Sequence, residues 1–387
     1  MNGAKADQIG GGIKSQTFFP AHCDPPPTKK MMTTLLATDG AVPACVMAPD
    51  DVVIRVSSLG SGSSSTVFLA YTRGGGSFVV KHIVRRVARH DRMPTQNAGL
   101  INGVPAEAVV LSSLPRHQHV VRYLSMSVAP GAYLVFFQHR PASATLTTLL
   151  EGTSNWCSFV TGYIREPITR RVLGLRDSIA CALAHQLFDA VAHCHANNVA
   201  HRDIKTDNIL VTWIGTDEPD PAAGGAAIAP GFHLTLIDFG FATWCGDGVP
   251  PACTFPGTDR FAAPELLSGT PYDPRRSDVW ACGVVFYAML LARFPFVSHV
   301  REDLVREICM SEPPFHRNGR TLCDAAIALL RTMMAKDAAL RPSIASAYSN
   351  DWLVAMAATL QAPVPVPPTV PVFYAPRDGV AAAIVTS

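Results

Sequence analysis

His201-Arg202-Asp203-Ile204-Lys205-Thr206-Asp207-Asn208-Ile209-Leu210 sets an acid, a base, an amide and a hydrophobic strand within ten residues. Upstream, Ser178 to Ala196 repeats apolar residues at helical spacing, so the run follows directly on a long helix. Downstream, Leu234-Thr235-Leu236-Ile237 leads into Asp238-Phe239-Gly240, and Gly257-Thr258-Asp259-Arg260-Phe261-Ala262-Ala263-Pro264-Glu265 comes later. Nearer the N-terminus, Leu59-Gly60-Ser61-Gly62-Ser63-Ser64-Ser65-Thr66-Val67 reads as a glycine-serine turn between two strands. Backbone amides there can approach an anion because no Cβ intervenes, although ordinary turns share this composition. Lys81 ends the apolar run Phe78-Val79-Val80-Lys81. In mid-strand its ammonium either snorkels outwards or is kept for a buried anion.

The surrounding chain limits what this unit is. Of 387 residues, 48% are hydrophobic, enough to bury a sizeable core, which excludes wholesale disorder. The 32 Lys+Arg against 30 Asp+Glu leave a net charge of +2, so electrostatics nominate no nucleic-acid partner. Ten cysteines form no C-x-x-C pair, zinc ribbon or secreted disulfide framework. The N-terminus lacks an apolar signal region, and the longest apolar run, around Val284 to Ala292, is too short for membrane insertion. These features predict a reduced, soluble, intracellular protein, cytoplasmic or nuclear, and monomeric.

Residues 1–50 read as a flexible arm, and residues 356–387 as a proline-rich tail of polyproline type. Between them, Asp51 to Ser57, Thr66 to Tyr71 and Ser77 to Ile83 predict an antiparallel meander. Val104 to Leu114 predicts a helix, and Val120 to Tyr123 and Tyr133 to Phe137 predict two further strands. Helices follow near 300–310, 321–335 and 342–355, while Asp278 to Leu291 is apolar enough to be buried on most sides. The segments 151–177 and 215–231 look inserted.

In this order the motifs resemble the signature set of the eukaryotic-type serine/threonine protein kinase family, over residues 51–355. The run Gly269 to Gly283 with Arg293-Phe294-Pro295-Phe296 is most similar to the calmodulin-dependent and AMP-activated kinase group. The resemblance implies an α+β, bilobal fold: a small antiparallel β-rich N-lobe (51–137) with one regulatory helix, then a hinge and a larger helical C-lobe (138–355). It also implies ATP and Mg²⁺ (with Mn²⁺ as a substitute), protein substrates with Ser/Thr acceptors, and an upstream activating kinase. Asp203 would accept the substrate hydroxyl proton, Lys205 would sit beside the transferred phosphoryl group, and Asn208 and Asp238 would hold the metal. Lys81 would contact the α- and β-phosphates, paired with Glu107, for which Asp91 is a rival. Gly60, Ser61 and Gly62 would cover the phosphates. Val67, Val79 and Leu210 would enclose the adenine, with Phe136 closing the cavity and Phe137 to His139 forming the hinge. Leu111, Tyr123, His201 and Phe239 would stack as a hydrophobic spine.

The same resemblance pairs Glu265 with Arg341 in a buried salt bridge and makes Asp278 a cap for catalytic-loop amides. Thr254 would be an activation-loop phosphosite read by Arg202. Ser64 and Ser65 depart from the family's glycine-rich loop. They support the alternative of a pseudokinase, a scaffold that binds nucleotide or partners without turnover. His193-Cys194-His195 suggests a metal site at a glance, but residues two apart on a helix do not share a face.

Overall fold

The computed structural model describes residues 55–61, 65–71, 76–85, 100–101, 103–151, 163–165, 172–214, 231–246, 248–249, 252, 259–317 and 319–359. Gly62, Ser64, Asp91, Cys253, Thr254, residues 1–50, residues 215–230 and the tail from residue 360 lie outside these.

Alternating and β-branched residues build a five-stranded antiparallel sheet. Its strands are β1 (Arg55–Ser61), β2 (Ser65–Tyr71), β3 (Ser77–Val84), β4 (Tyr123–Ala129) and β5 (Ala132–Gln138), in the order β1-β2-β3-β5-β4. Between β3 and β4 lies α1 (Ala106–Ser113), which begins behind Pro105, a residue whose ring suits a helix entrance. Directly opposed residues of a sheet share a face. One face carries Val67, Val79, Lys81, Val135 and Phe137; the other buries Phe68, Val80, Leu134 and Phe136 in a small separate cluster.

The second region is mainly helical. A three-stranded sheet of β6 (Ser143–Thr145), β7 (Ile209–Ile214) and β8 (Gly231–Leu236), ordered β8-β7-β6, lies next to it. Its helices are α2 (Leu146–Glu151), α3 (Asp177–Ala196), α4 (Pro264–Leu267), α5 (Pro274–Leu291), α6 (Arg301–Met310), α7 (Asp324–Met333), α8 (Ile344–Tyr348) and α9 (Asp351–Ala358). α5 is the centre of the main core: every residue from Ser277 to Leu291 is buried. Each large apolar side chain so buried stabilises the fold by about 1.5–3 kcal/mol relative to exposure. At Gly283 a Cβ would stand 3.0 Å from Met334 and 3.1 Å from Met333, so glycine lets α7 approach α5.

Several expected boundaries move. The strand expected at Val120 to Tyr123 runs instead from Tyr123, because Val120 makes a parallel bridge to Leu236 of β8. α5 starts at Pro274, not Asp278: Asp273 caps it, its Oδ1 accepting the Arg275 N–H at 2.9 Å, and Pro274 fills the first helical position. Residues 342–355 form two helices, since Ser343 caps α8 and Asn350 caps α9. Within 151–177, Tyr163–Arg165 pairs antiparallel with Val172–Leu175, and Gly174 lies against Leu290 of α5, where a Cβ would stand 1.9 Å from the carbonyl oxygen.

Candidate active site

β3 presents Lys81 on the same face as Val67 and Val135, and α1 returns Glu107 to it 26 residues later. Lys81 Nζ donates to Glu107 Oε2 at 2.9 Å and to Asp238 Oδ1 at 2.7 Å. Glu107 Oε1 accepts the Phe239 N–H at 3.1 Å, so one carboxylate ties β3, α1 and the Asp238-Phe239-Gly240 turn together. Burial opposes the Lys81 charge, but the two carboxylates outweigh it and hold Lys81 above its ordinary value. Burial also opposes ionisation of Asp238; Lys81 prevails there too, and Asp238 falls below the usual carboxylate range. Complete burial pushes Glu107 upward, against the pull of Lys81. Asp238 sits at φ 61°, a left-handed conformation that costs a non-glycine residue energy. At Gly240 a Cβ would stand 3.0 Å from Asp238 Oδ1, so a side chain there would press on that carboxylate.

Opposite this triad, the run His201 to Asn208 is shaped by backbone contacts. Asp278, buried in the second turn of α5, accepts the Arg202 N–H on Oδ1 and the His201 N–H on Oδ2, both at 2.9 Å. Arg202 is thereby held at φ 66°. His201 uses both ring nitrogens locally: Nδ1 accepts the Asp203 N–H at 3.2 Å and Nε2 donates to the Ile237 carbonyl at 3.1 Å. With its ring edge-on to Phe239 at 4.6 Å and no exposure, His201 is a packing residue. Asp203 Oδ2 accepts from Lys205 Nζ at 2.7 Å and from Asn208 Nδ2 at 2.9 Å. No hydrogen bond among the described residues engages Asp203 Oδ1, Asp238 Oδ2 or Asn208 Oδ1. The first is free to take a proton from a hydroxyl. The other two are hard oxygen donors of the kind Mg²⁺ takes, with water and phosphate oxygens completing its shell. The Ile237 N–H bonded to the Asn208 carbonyl at 2.9 Å keeps those two donors together.

Val67, Val79 and Leu210 are half-buried, as residues lining a cavity open to solvent would be. Gly60 and Ser61 end β1, and a Cβ at Gly60 would meet nothing within 4 Å. The sheet register corrects the expectation for Phe136. It stands opposite Val80 on the far face, whereas Phe137 stands opposite Val79 on the Lys81 face. Phe137 and Gln138, expected in the hinge, are still strand residues, Gln138 standing opposite Phe78, so the connection to the helical region starts at His139. His139 Nδ1 is hydrogen-bonded to Ser77 Oγ at 2.8 Å.

Glu265 and Arg341 form the expected pair in bidentate geometry, both contacts 2.7 Å, with the Arg341 side chain fully buried. Arg202 Nε reaches the Tyr272 hydroxyl at 3.3 Å. In the sequence His195 stands out only beside His193, as a rejected metal pair, with no sign of its partner: its Nε2 lies 2.9 Å from Asp278 Oδ2 and adds a third contact to that carboxylate. The six described cysteines are unpaired thiols, and no group of three or more His, Cys, Asp or Glu side chains gathers as a metal site among the described residues. No described helix is long and apolar enough to cross a membrane.

A two-lobed β-then-α fold with a Lys–Glu–Asp triad facing an Asp–Lys–Asn cluster defines the protein kinase class. The protein kinase domain family matches residues 53–353, and the chain belongs to that family. It is 35% identical over 184 residues to testis-specific serine/threonine-protein kinase 3 of Mus musculus, covering 46% of this chain and 60% of that protein. It is 28% identical over 306 residues to the probable serine/threonine-protein kinase KIN1 homolog of Encephalitozoon cuniculi, covering 77% and 45%. With CBL-interacting serine/threonine-protein kinase 24 of Arabidopsis thaliana it shares 26% identity over 262 residues, covering 67% and 49%. The chain thus spans between 45% and 60% of the length of these curated relatives.

Proposed function

We propose that this chain is a serine/threonine protein kinase that transfers the γ-phosphoryl group of ATP to Ser or Thr hydroxyls of protein substrates. The observation that carries this reading is the Asp203 carboxylate: one oxygen fixed by Lys205 and Asn208, the other unengaged. A hydroxyl hydrogen-bonded to that free oxygen would be oriented for attack and would pass its proton to Asp203 as the new O–P bond forms. Lys205, already beside Asp203, would offer its ammonium to the transferred group. Lys81 would orient the α- and β-phosphates, and Glu107 would keep that ammonium in place. Asp238 and Asn208 would hold Mg²⁺, which when bound neutralises phosphate charge. Val67, Val79, Leu210 and Phe137 would enclose the adenine ring, and the backbone of Gly60 to Gly62 would cover the phosphates. Residues 51–355 would form the catalytic unit, with 1–50 and 356–387 as appendages. Phosphorylated Thr254 would pair with Arg202 after the action of an upstream kinase.

The test is incubation with γ-labelled ATP, Mg²⁺ and a generic basic protein. Label should move to Ser and Thr, and Asp203→Ala should abolish the transfer. Nucleotide binding without transfer in the unsubstituted chain overturns the enzyme reading in favour of a scaffold.

A further inference from the structure

The segment Pro115 to Val121 joins α1 to β4 and lies against α3 and β8, and its contacts are built largely from imidazoles. His193 of α3 stacks on His117 with ring centroids 4.6 Å apart and planes 20° apart. His117 meets His119 edge-on at 5.8 Å, and His119 meets His233 of β8 at 4.8 Å. Four rings from three parts of the chain thus form a continuous row.

Each ring has a hydrogen bond that assigns its proton. His193 Nε2 faces the Pro115 carbonyl at 2.8 Å, His233 Nε2 the Gln118 carbonyl at 3.0 Å, and His119 Nδ1 the Leu234 carbonyl at 2.9 Å. A carbonyl only accepts, so these nitrogens carry hydrogen. His117 Nδ1 accepts the His119 N–H at 3.3 Å, which puts its proton on Nε2, 3.3 Å from Asp189 Oδ2. The hydrogen bonds therefore suit four neutral rings.

We propose that this row of histidines is a proton-operated latch, holding the segment after α1 onto the helical region and releasing it on mild acidification. A second proton on His117 breaks the bond from the His119 N–H. A second proton on any two neighbours sets like charges 4.6–5.8 Å apart. The surroundings give little relief. Among the described residues Asp189 is the carboxylate facing the row, and His117 already engages it. Arg140, whose Nη2 donates to the Gln118 carbonyl at 3.3 Å, adds positive charge, as do the exposed Arg116 and Arg122. His185, one turn before Asp189 and 4.2 Å from the Tyr348 ring, is a further titratable neighbour.

Burial holds His119 down at about 4 and His193 below its ordinary value. A released histidine titrates near 6.5. Between about 6.5 and 4 the released form therefore binds protons that the latched form refuses, so the latch is stable above 6.5 and weakens as pH falls. Each such histidine raises the released population by up to about tenfold per pH unit. The segment leads straight to the site. The Leu236 N–H donates to the His119 carbonyl at 2.8 Å and the Val121 N–H to the Leu236 carbonyl at 2.9 Å, two residues before Asp238. Its other end continues from α1, which carries Glu107.

Hydrogen exchange of the full chain at pH 7.5, 6.5 and 5.5, corrected for intrinsic rates, tests the latch whether or not the chain turns over ATP. Amides of 119–121 and of Leu236 should lose about tenfold or more in protection at pH 5.5, while amides of α5 keep theirs. His193→Gln keeps an N–H for the Pro115 carbonyl and removes an ionisable ring, so its loss should be at least threefold smaller; His119→Asn should flatten the response further. Should His119→Asn fail to fold, His193→Gln alone decides. Protection that does not change with pH, or a loss equal in His193→Gln and the unsubstituted chain, overturns the proposal. Label transfer measured on the same samples separates the two readings: a latch that titrates in a chain without turnover sinks only the kinase reading.

Discussion

Asp203 and Lys81 stand on the two sides of one site and are held by different means. Around Asp203 the chain is fixed through its backbone: Asp278 takes two amide N–H groups, and the His201 ring takes another and gives one to Ile237. Around Lys81 two ion pairs between side chains, with one backbone N–H of Phe239 on Glu107, reach across three separate parts of the chain. The first arrangement forms whenever α5 and the loop fold together. The second depends on where α1 lies. One side is built by folding; the other is set by position.

The largest effect should come from Asp203→Asn, which keeps the shape and most hydrogen bonds of the folded side but removes the carboxylate proposed as proton acceptor. Phosphoryl transfer should fall by roughly 10²–10⁴-fold, with thermal midpoint and nucleotide affinity close to the original. A comparable loss of stability would mean that the chemistry and its scaffold on this side cannot be separated. Asp278→Ala attacks the scaffold instead. It leaves the His201 and Arg202 N–H groups and the His195 ring without their acceptor in a buried place, which should cost about 3 kcal/mol. Denaturant unfolding followed by fluorescence reads that cost directly.

Glu107→Gln probes the positional side. The amide oxygen can still accept the Phe239 N–H, but the ion pair to Lys81 is gone. Transfer should drop by roughly 10²-fold through misplacement of Lys81, while the denaturation midpoint moves far less than in Asp278→Ala. Equal destabilisation by both variants would erase the distinction between the two sides.

Which features could be read from the sequence follows the same divide. Lys81, Asp203, Asn208 and the Glu265–Arg341 pair declare their roles through the ordered motifs that resemble the kinase signature set. Phe136 and Phe137 do not. Every residue from Ala132 to Phe137 is buried, so alternation carries no signal, and only pairing with β3 decides which ring shares a face with Lys81. His195 and the histidine row were illegible for a related reason. Their partners lie 83 positions away for Asp278 and 115 for Leu234, and nothing in the neighbouring residues announces them. The start of α5 is marked in the sequence by Asp273-Pro274, a cap followed by a first-turn proline.

Asp273→Ala gives the smallest expected change. Asp273 caps α5 through the Arg275 N–H at 2.9 Å, and Asp278 lies five residues further along the same helix. Losing the cap should cost about 1 kcal/mol, since Pro274 has no N–H to leave unsatisfied and the helix beyond is clamped by burial on all sides. Because the Asp278 contacts to His201 and Arg202 arise a full turn inside, they should persist, and transfer activity should stay within about twofold of the original at temperatures well below the midpoint. If activity instead falls as far as in Asp278→Ala, the catalytic side answers to the placement of α5 as a whole. It would then depend on position just as the Lys81 side does.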